Sequence, residues 1–245
     1  MAHKHLIKQK PEYFKKRSEW LGSRGIGGSD IGAIMNLSSF KSSEDVFADK
    51  VYGTPGEDDN KSDLLLRGTL AEDHIRQLFA LSAFDEYEVE GQPTRRCWLY
   101  RHPKYSFITC SPDGLLKDKK TGEVGGLEIK FVDIYSGKQA EKWEGQLPPQ
   151  YFAQCAWYLA TMSELTFVNL VAFQKHYVNI EGQWKFDYAE MKIYTVKRDE
   201  PSTKAFIDYE IKKAIEFDKS VREKLLMPVT FSIEPATKGD SGNGK

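Results

Sequence analysis

The stretch from Phe107 to Val132, "FITCSPDGLLKDKKTGEVGGLEIKFV", constrains the fold of this chain more than any other. Two short apolar runs flank "KDKKTGE", whose charges and glycine suit a hairpin connection, so the spacing predicts two paired strands. Alternation along the second strand sends Leu127 and Ile129 to one face and Glu128 and Lys130 to the other. Asp113 follows a proline and precedes a glycine, where a strand bends, and its carboxylate can meet Glu128 across the pair. Two acids and a lysine then share one place. On spacing alone this is either an exposed hairpin with a salt-bridged edge or a site for a hard divalent cation, which takes carboxylate oxygens and leaves positions for a phosphate.

The rest of the chain supplies a core for such a sheet. With 245 residues, 40% hydrophobic and 13% aromatic, it is long enough for one substantial core or two tightly joined subdomains. Lys and Arg number 35 against 36 Asp and Glu, so total charge gives no support to nucleic-acid binding; only a local basic channel would. No run approaches a membrane span and the basic N-terminus lacks a secretory core, which makes a cytoplasmic protein the expectation. Cys97, Cys110 and Cys155 are too few for a four-cysteine cluster and suit free buried thiols. The five histidines form no ligand pair, and His74 and His176 read as structural.

Periodicity orders the elements. "SDIGAIMNL" and "SSEDVFADKVY" read as short helices, each capped by its serine, and "LLLRGTLAEDHIRQLFALS" as a longer one. Residues 85–131 turn to strands, and "LPPQYFAQCAWYLATM" returns to a helix opened by prolines. "LTFVNLVAFQ" and "KFDYAEMKIYTV" form a strand pair, and "TKAFIDYEIKKAIEFDKSVREKLL" an amphipathic helix. Apolar stripes in "VNLVAF" and in that last helix serve either a core or subunit contacts. The expected fold class is α/β (α+β), a central mixed sheet flanked by helices. A single domain is expected over 1–235, with a surface connection at 53–63 and a disordered tail at 236–245.

Further residues fall into place around the hairpin. Glu72 stands four residues after Gly68 on one helix face, either a third acid or a solvated carboxylate. Gln154 lies in so apolar a helix that its amide needs a specific partner. Tyr151 and Tyr158, at i−3 and i+4, share its side but suit a core equally. "RGIGGSD" lacks the third glycine of a dinucleotide motif, and Arg24 and Ser29 within it suit either an anion site or a plain turn and cap.

Taken in order, "RGIGGSDIGAIMNLSSFKS", "RGTLAED", "CSPDG" with "GLEIK", and "YFAQCAWYLA" resemble the YqaJ-like viral recombinase family, the phage lambda exonuclease family of the PD-(D/E)xK nuclease superfamily. The resemblance spans residues 20 to about 162. It implies a PD-(D/E)xK restriction-endonuclease-like core with Asp113, Glu128 and the main-chain carbonyl of Ile129 as metal ligands. It further implies Glu72 as an additional acid at the metals, Lys130 positioning the attacking water, Gln154 beside the site, and Arg24, Ser29 and Ser111 holding a 5′-phosphate. The implied activity is Mg2+-dependent 5′-to-3′ digestion of double-stranded DNA ends, with Mn2+ substituting and 3′ single-strand overhangs as product. The implied setting is a phage or prophage protein in a bacterial host, a homo-oligomeric ring, commonly a trimer, and a single-strand annealing protein as partner. An endonuclease of the same fold and a non-catalytic DNA-binding protein are the competing readings.

Overall fold

The computed structural model describes residues 6–53, 63–91 and 97–223, with the main chain alone over 63–69. In chain order the elements are β1 (Glu12–Phe14), α1 (Arg17–Ser23), α2 (Gly28–Ile34), α3 (Ser43–Tyr52), α4 (Asp63–Ser82), β2 (Tyr87–Gly91), β3 (Cys97–Arg101), β4 (Thr109–Cys110), β5 (Gly114–Asp118), β6 (Val124–Ile134), α5 (Gly137–Glu141), α6 (Pro149–Thr161), β7 (Phe167–Ile180), β8 (Gln183–Lys197) and α7 (Pro201–Glu223). The central sheet has the order β2-β5-β6-β7-β8, and β1-β3-β4 form a smaller one. Only β6 and β7 run parallel within the central sheet, because α5 and α6 carry the chain back over one face between them. The sheet is therefore mixed and flanked by helices.

Side-chain alternation along β6 divides the two faces. Leu127 and Ile129 pack with Leu116, Val171 and, from α4, Ile75 and Phe79. The opposite face, with Leu115, Val168 and Leu170, lies under α6, whose residues from Ala153 to Thr161 are all buried. A helix that apolar all round can only sit in an interior, and here α2 and α7 cover its outer side. The start of β7 is buried on both faces for the same reason. "VNLVAF" is thus core rather than an exposed stripe, and the apolar stripe of α7, including Ile207, Ala214 and Phe217, also faces inward.

Three local expectations are corrected. "FITCSPDGLL" is not one strand: β4 pairs with β3 in the small sheet, and β5 begins only at Gly114 in the central one. Pro112 has no N–H to continue a ladder, so the chain changes sheets at Ser111–Asp113. The β7–β8 hairpin runs well past the predicted strands, because Glu181 and Gly182, with φ of 53° and 81°, form a two-residue turn that keeps the twisted strands paired. Ser29 does not cap α2: Gly27 is the cap residue, and its N–H donates to Asp30 Oδ2 at 3.0 Å. Ser42 does cap α3 as expected. The connection at 54–62, the tail at 236–245 and the Gly68 contact lie outside the described residues and side chains.

The small sheet, the loop before α2 and α6 are fastened together by buried polar contacts. Ile26 lies alongside Ile108, its carbonyl accepts from Thr109 N–H at 2.9 Å, and Trp157 Nε1 donates to both the Ile26 and Thr109 carbonyls. Trp98 Nε1 donates to the Pro112 carbonyl at 2.7 Å. These bonds fix the backbone of Arg24–Ser29 against that of Ser111–Asp113.

Glu210 on α7 is fully buried, and neither carboxylate oxygen has a partner among the described residues. Burial pushes its carboxyl well above the ordinary glutamate value of 4.5. The native state keeps a proton that the unfolded chain releases above that value, so this residue's contribution to stability falls as pH rises. Glu210→Gln is expected to gain on the parent protein between pH 5 and pH 8 by about 1–3 kcal/mol. Urea unfolding at the two pH values measures the change.

Candidate active site

The bend at Pro112 places Asp113 at the point where β5 and β6 begin to separate. Its N–H donates to the Leu127 carbonyl at 2.9 Å, and its Oδ2 accepts from the Ile129 N–H at 2.7 Å. Asp113 thus extends the β5–β6 ladder with its side chain. The last regular pair is Gly114 with Leu127, so the peptide edge of Ile129 lies beyond β5, turned toward Asp113. Arg76 on α4 donates to the Asp113 carbonyl at 3.1 Å and secures the bend from the other face.

Glu128 is only 3% exposed and still carries three donors. Gln154 Nε2 reaches Oε1 at 2.6 Å, Lys130 Nζ donates to the same oxygen, and Tyr158 OH donates to Oε2 at 2.6 Å. Gln154 also donates to the Tyr158 hydroxyl at 2.9 Å, so the two α6 residues act as one brace. The contact requires α2 to lie close against this part of α6: a Cβ on Gly28 would come within 2.8 Å of the Tyr158 ring and 2.9 Å of Gln154 Cγ. That glycine is needed for close approach rather than for its φ.

Charge is crowded here. Burial raises the Asp113 carboxyl well above the usual aspartate range; the Glu128 charge and Glu72, which comes within hydrogen-bonding reach, add to the shift, and Lys130 offsets part of it. Burial pulls the Lys130 ammonium down, but Glu128 and Asp113 more than reverse this, and it stays a charged donor. Its Nζ lies 5.3 Å from the Tyr151 ring centroid. Burial, then Glu128, holds the Tyr158 hydroxyl far above its usual range. Cys110 lines the same cavity, but burial keeps it a thiol and hence a poor ligand.

The donor set fits a hard divalent cation. Every candidate ligand is an oxygen, and Asp113 is destabilised as an anion by the neighbouring carboxylates, a surplus that a bound cation relieves. Among the described residues no three His, Cys, Asp or Glu side chains enclose an ion by themselves. Asp113 and Glu128 would hold it with the Ile129 carbonyl and water, and Glu72 stands at its margin.

The same cavity, about 160 Å3, is closed on its other side by Trp20, Arg24, Ser29 and Ser111. Arg24 is held over the Trp20 ring at 4.7 Å, with NH2 3.4 Å from Ser29 Oγ and 3.9 Å from Asp30 Oδ2. Ser111 Oγ donates to the Trp98 carbonyl at 2.6 Å and accepts from Trp20 Nε1 at 3.3 Å. All the predicted side chains except Glu72 and Lys130 line this one cavity; Glu72 approaches it through Asp113 and Lys130 through Glu128. Tyr158, Trp20 and Asp30 were not singled out as site residues. The i+4 spacing of Tyr158 from Gln154 and of Arg24 from Trp20 is the signal that marks the first two.

A bent hairpin beneath a glutamine-bearing helix, in a mixed sheet with helices on both faces, is a PD-(D/E)xK fold. The family model of the YqaJ-like viral recombinase domain matches residues 15–165, and the chain belongs to that family. Over 150 residues it is 31% identical to the uncharacterized protein YqaJ of Bacillus subtilis (strain 168), a match that takes in 60% of this chain and 42% of that protein. The chain therefore spans less than half of that relative. In fold it is similar to an alkaline exonuclease (LHK-Exo) from Laribacter hongkongensis, with a TM-score of 0.56 and 20% identity over 84% of this chain and 95% of that one. LHK-Exo in complex with dAMP matches with a TM-score of 0.54 and 19% identity, over 84% and 93% of the two chains. Among the described residues no helix is long and apolar enough to cross a membrane.

Asp30, which backs Arg24, is 5% exposed and also meets Lys50 at 3.2 Å and Lys41 at 3.6 Å. Burial alone would raise its carboxyl, but Lys50 and Arg24, with the Gly27 N–H and Lys41, hold it below the ordinary 3.8. Removing one member of such a buried cluster leaves its partners uncompensated, so Asp30→Asn is expected to cost about 3 kcal/mol at pH 7. The depressed value means that Asp30 stabilises the fold above pH 3.8 and loses that effect as pH falls through its lower native value. Denaturant unfolding from pH 7 to pH 3 should show the gap between the two proteins closing only at the acid end.

Proposed function

We propose that the chain is a metal-dependent deoxyribonuclease that digests double-stranded DNA from 5′ ends, leaving 3′ single-strand overhangs for recombination. The observation that carries this reading is one cavity lined by both the buried acids and the Arg24, Ser29 and Ser111 cluster. An exonuclease needs hydrolytic groups and a seat for the terminal phosphate within one nucleotide of each other. An endonuclease needs only the first.

Family membership supports the recombination setting, and the likeness to LHK-Exo supports the fold on which the activity would rest. Mg2+, or Mn2+ in its place, would be held by Asp113 and Glu128 and would supply Lewis acidity, a water of lowered pKa and a counter-charge for the leaving oxygen. Lys130, held as an ammonium against Glu128, serves as a donor that orients the attacking water. Gln154 and Tyr158 keep the Glu128 carboxylate turned into the cavity. Arg24 offers a fork to the terminal phosphate, and Ser29 and Ser111 offer hydroxyls once they turn from their present partners. A homo-oligomeric ring, a trimer by analogy, would enclose the duplex and make a basic exterior unnecessary. A single-strand annealing protein is the expected partner for the exposed 3′ strand.

Linear duplex labelled at its 5′ or 3′ end, incubated with Mg2+ or EDTA beside closed circles, tests the activity. Early release of the 5′ label as a mononucleotide, absent in EDTA and on circles, is the expected result, and cutting of closed circles would replace it with the endonuclease reading. Lys130→Ala should slow release by about 10²–10⁴-fold. A separate measurement addresses the metal itself: Mg2+ or Mn2+ should raise the melting temperature of the parent protein, since binding to the native state alone stabilises it, and Asp113→Asn should abolish the rise.

A further inference from the structure

Helix α6 holds Glu128 from one face of the sheet, through Gln154 and Tyr158. From the other face α4 reaches Asp113, and it does so with two residues one turn apart. Glu72 comes within hydrogen-bonding reach of the Asp113 carboxyl. Arg76, four residues on and on the same side of α4, donates through NH1 to the Asp113 main-chain carbonyl at 3.1 Å. Its NH2 donates to Asp73 Oδ1, but the Asp73 side chain is 70% exposed, and an ion pair so open to water contributes little by itself. The pair matters for direction, because it turns the guanidinium so that NH1 meets the Asp113 carbonyl.

The sheet makes room for this guanidinium. Gly91, the last residue of β2, pairs with Gly114, which follows Asp113 and opens β5. A Cβ on Gly91 would come within 2.6 Å of Arg76 Nε and 3.0 Å of Cζ. Glycine weakens a strand and its presence marks a close approach. Here the φ is not positive, so it is the space taken by Arg76, and not the backbone conformation, that excludes a side chain.

The Glu72 charge works against ionisation of Asp113, so the two carboxylates are driven apart unless a bond or a cation holds them together. Packing of Ile75 and Phe79 against the sheet is non-directional and does not fix where Glu72 stands. Arg76 supplies the directional bond, because it grips the residue that Glu72 repels.

We propose that Arg76 is a positioning residue for the candidate metal centre: its bond to the Asp113 carbonyl holds α4 in place and keeps Glu72 beside the ion that Asp113 and Glu128 would bind. The inference rests on the metal-dependent reading and adds to it the residue that sets the third acid. A plain structural staple would make the same bond but leave cation affinity unchanged.

Titration of the full chain with Mn2+, followed by melting temperature without DNA, separates the two. The apparent affinity comes from how the melting temperature rises with Mn2+. Arg76→Met should bind Mn2+ about 10–100-fold more weakly, the loss typical when a partner behind a metal ligand is removed. Gly91→Ala should weaken binding in the same direction, since it displaces the guanidinium without removing a polar group. Arg76→Lys, a cation without the fork, should fall between parent and Arg76→Met, and it replaces Arg76→Met if that variant does not fold. Because the effect runs through Glu72, Arg76→Met should cost little further affinity in a Glu72→Gln background. Variants that melt lower in EDTA yet bind Mn2+ like the parent protein overturn the proposal and leave the metal reading standing, as does a full additional loss in Glu72→Gln. A parent protein whose melting temperature ignores Mn2+ overturns the metal reading and this proposal together.

Discussion

A carboxylate almost wholly removed from water is tolerated only when its oxygens are met by donors, and Glu128 sets that condition for the whole molecule. Its partners come from its own strand, Lys130, and from α6, Gln154 and Tyr158. Satisfying it therefore fixes the position and rotation of α6 over β6. That helix in turn determines where α2 lies, because Gly28 admits the Tyr158 and Gln154 side chains and nothing larger would. The packing of the α6 face and the chemistry of the cavity have one cause.

The second constraint is the passage from the small sheet to the central one. Pro112 cannot extend a ladder, and Asp113 replaces the missing strand pairing with its own N–H and carboxylate. The bend leaves the carboxylate beside Glu128 and Glu72, where burial and like charge work against its ionisation. Such concentration of acids is unfavourable for stability and useful for holding a cation. Trp157 and Trp98 support the bend by donating to the carbonyls around it, and they bring the Arg24 loop to the same place.

Much of this is legible in the sequence. Asp113, Glu128 and Lys130 follow from strand alternation and from one proline–aspartate–glycine bend, both local in sequence. Gln154 was marked by an amide in an apolar helix. Serine favours the cap position, but Ser29 lies inside α2: the cap is Gly27, whose N–H is held by the Asp30 carboxylate. The split of "FITCSPDGLL" and the short β1 strand were not legible, since two- and three-residue strands form only where a partner strand is already held by tertiary packing. Tyr158 was spaced correctly for the site, but its spacing served a core equally well.

By itself the sequence determined which residues alternate, bend or stripe, and so the elements, the hairpin, the central sheet and the pairing of acid with lysine on one face. These depend on contacts between near neighbours. Only the tertiary structure decided that Arg24 and Ser111 share a cavity with Asp113 and Glu128, and that Tyr158 completes the hold on Glu128. Those juxtapositions join segments scores of residues apart, and their geometry is set by how helices and sheets pack, which no local pattern encodes.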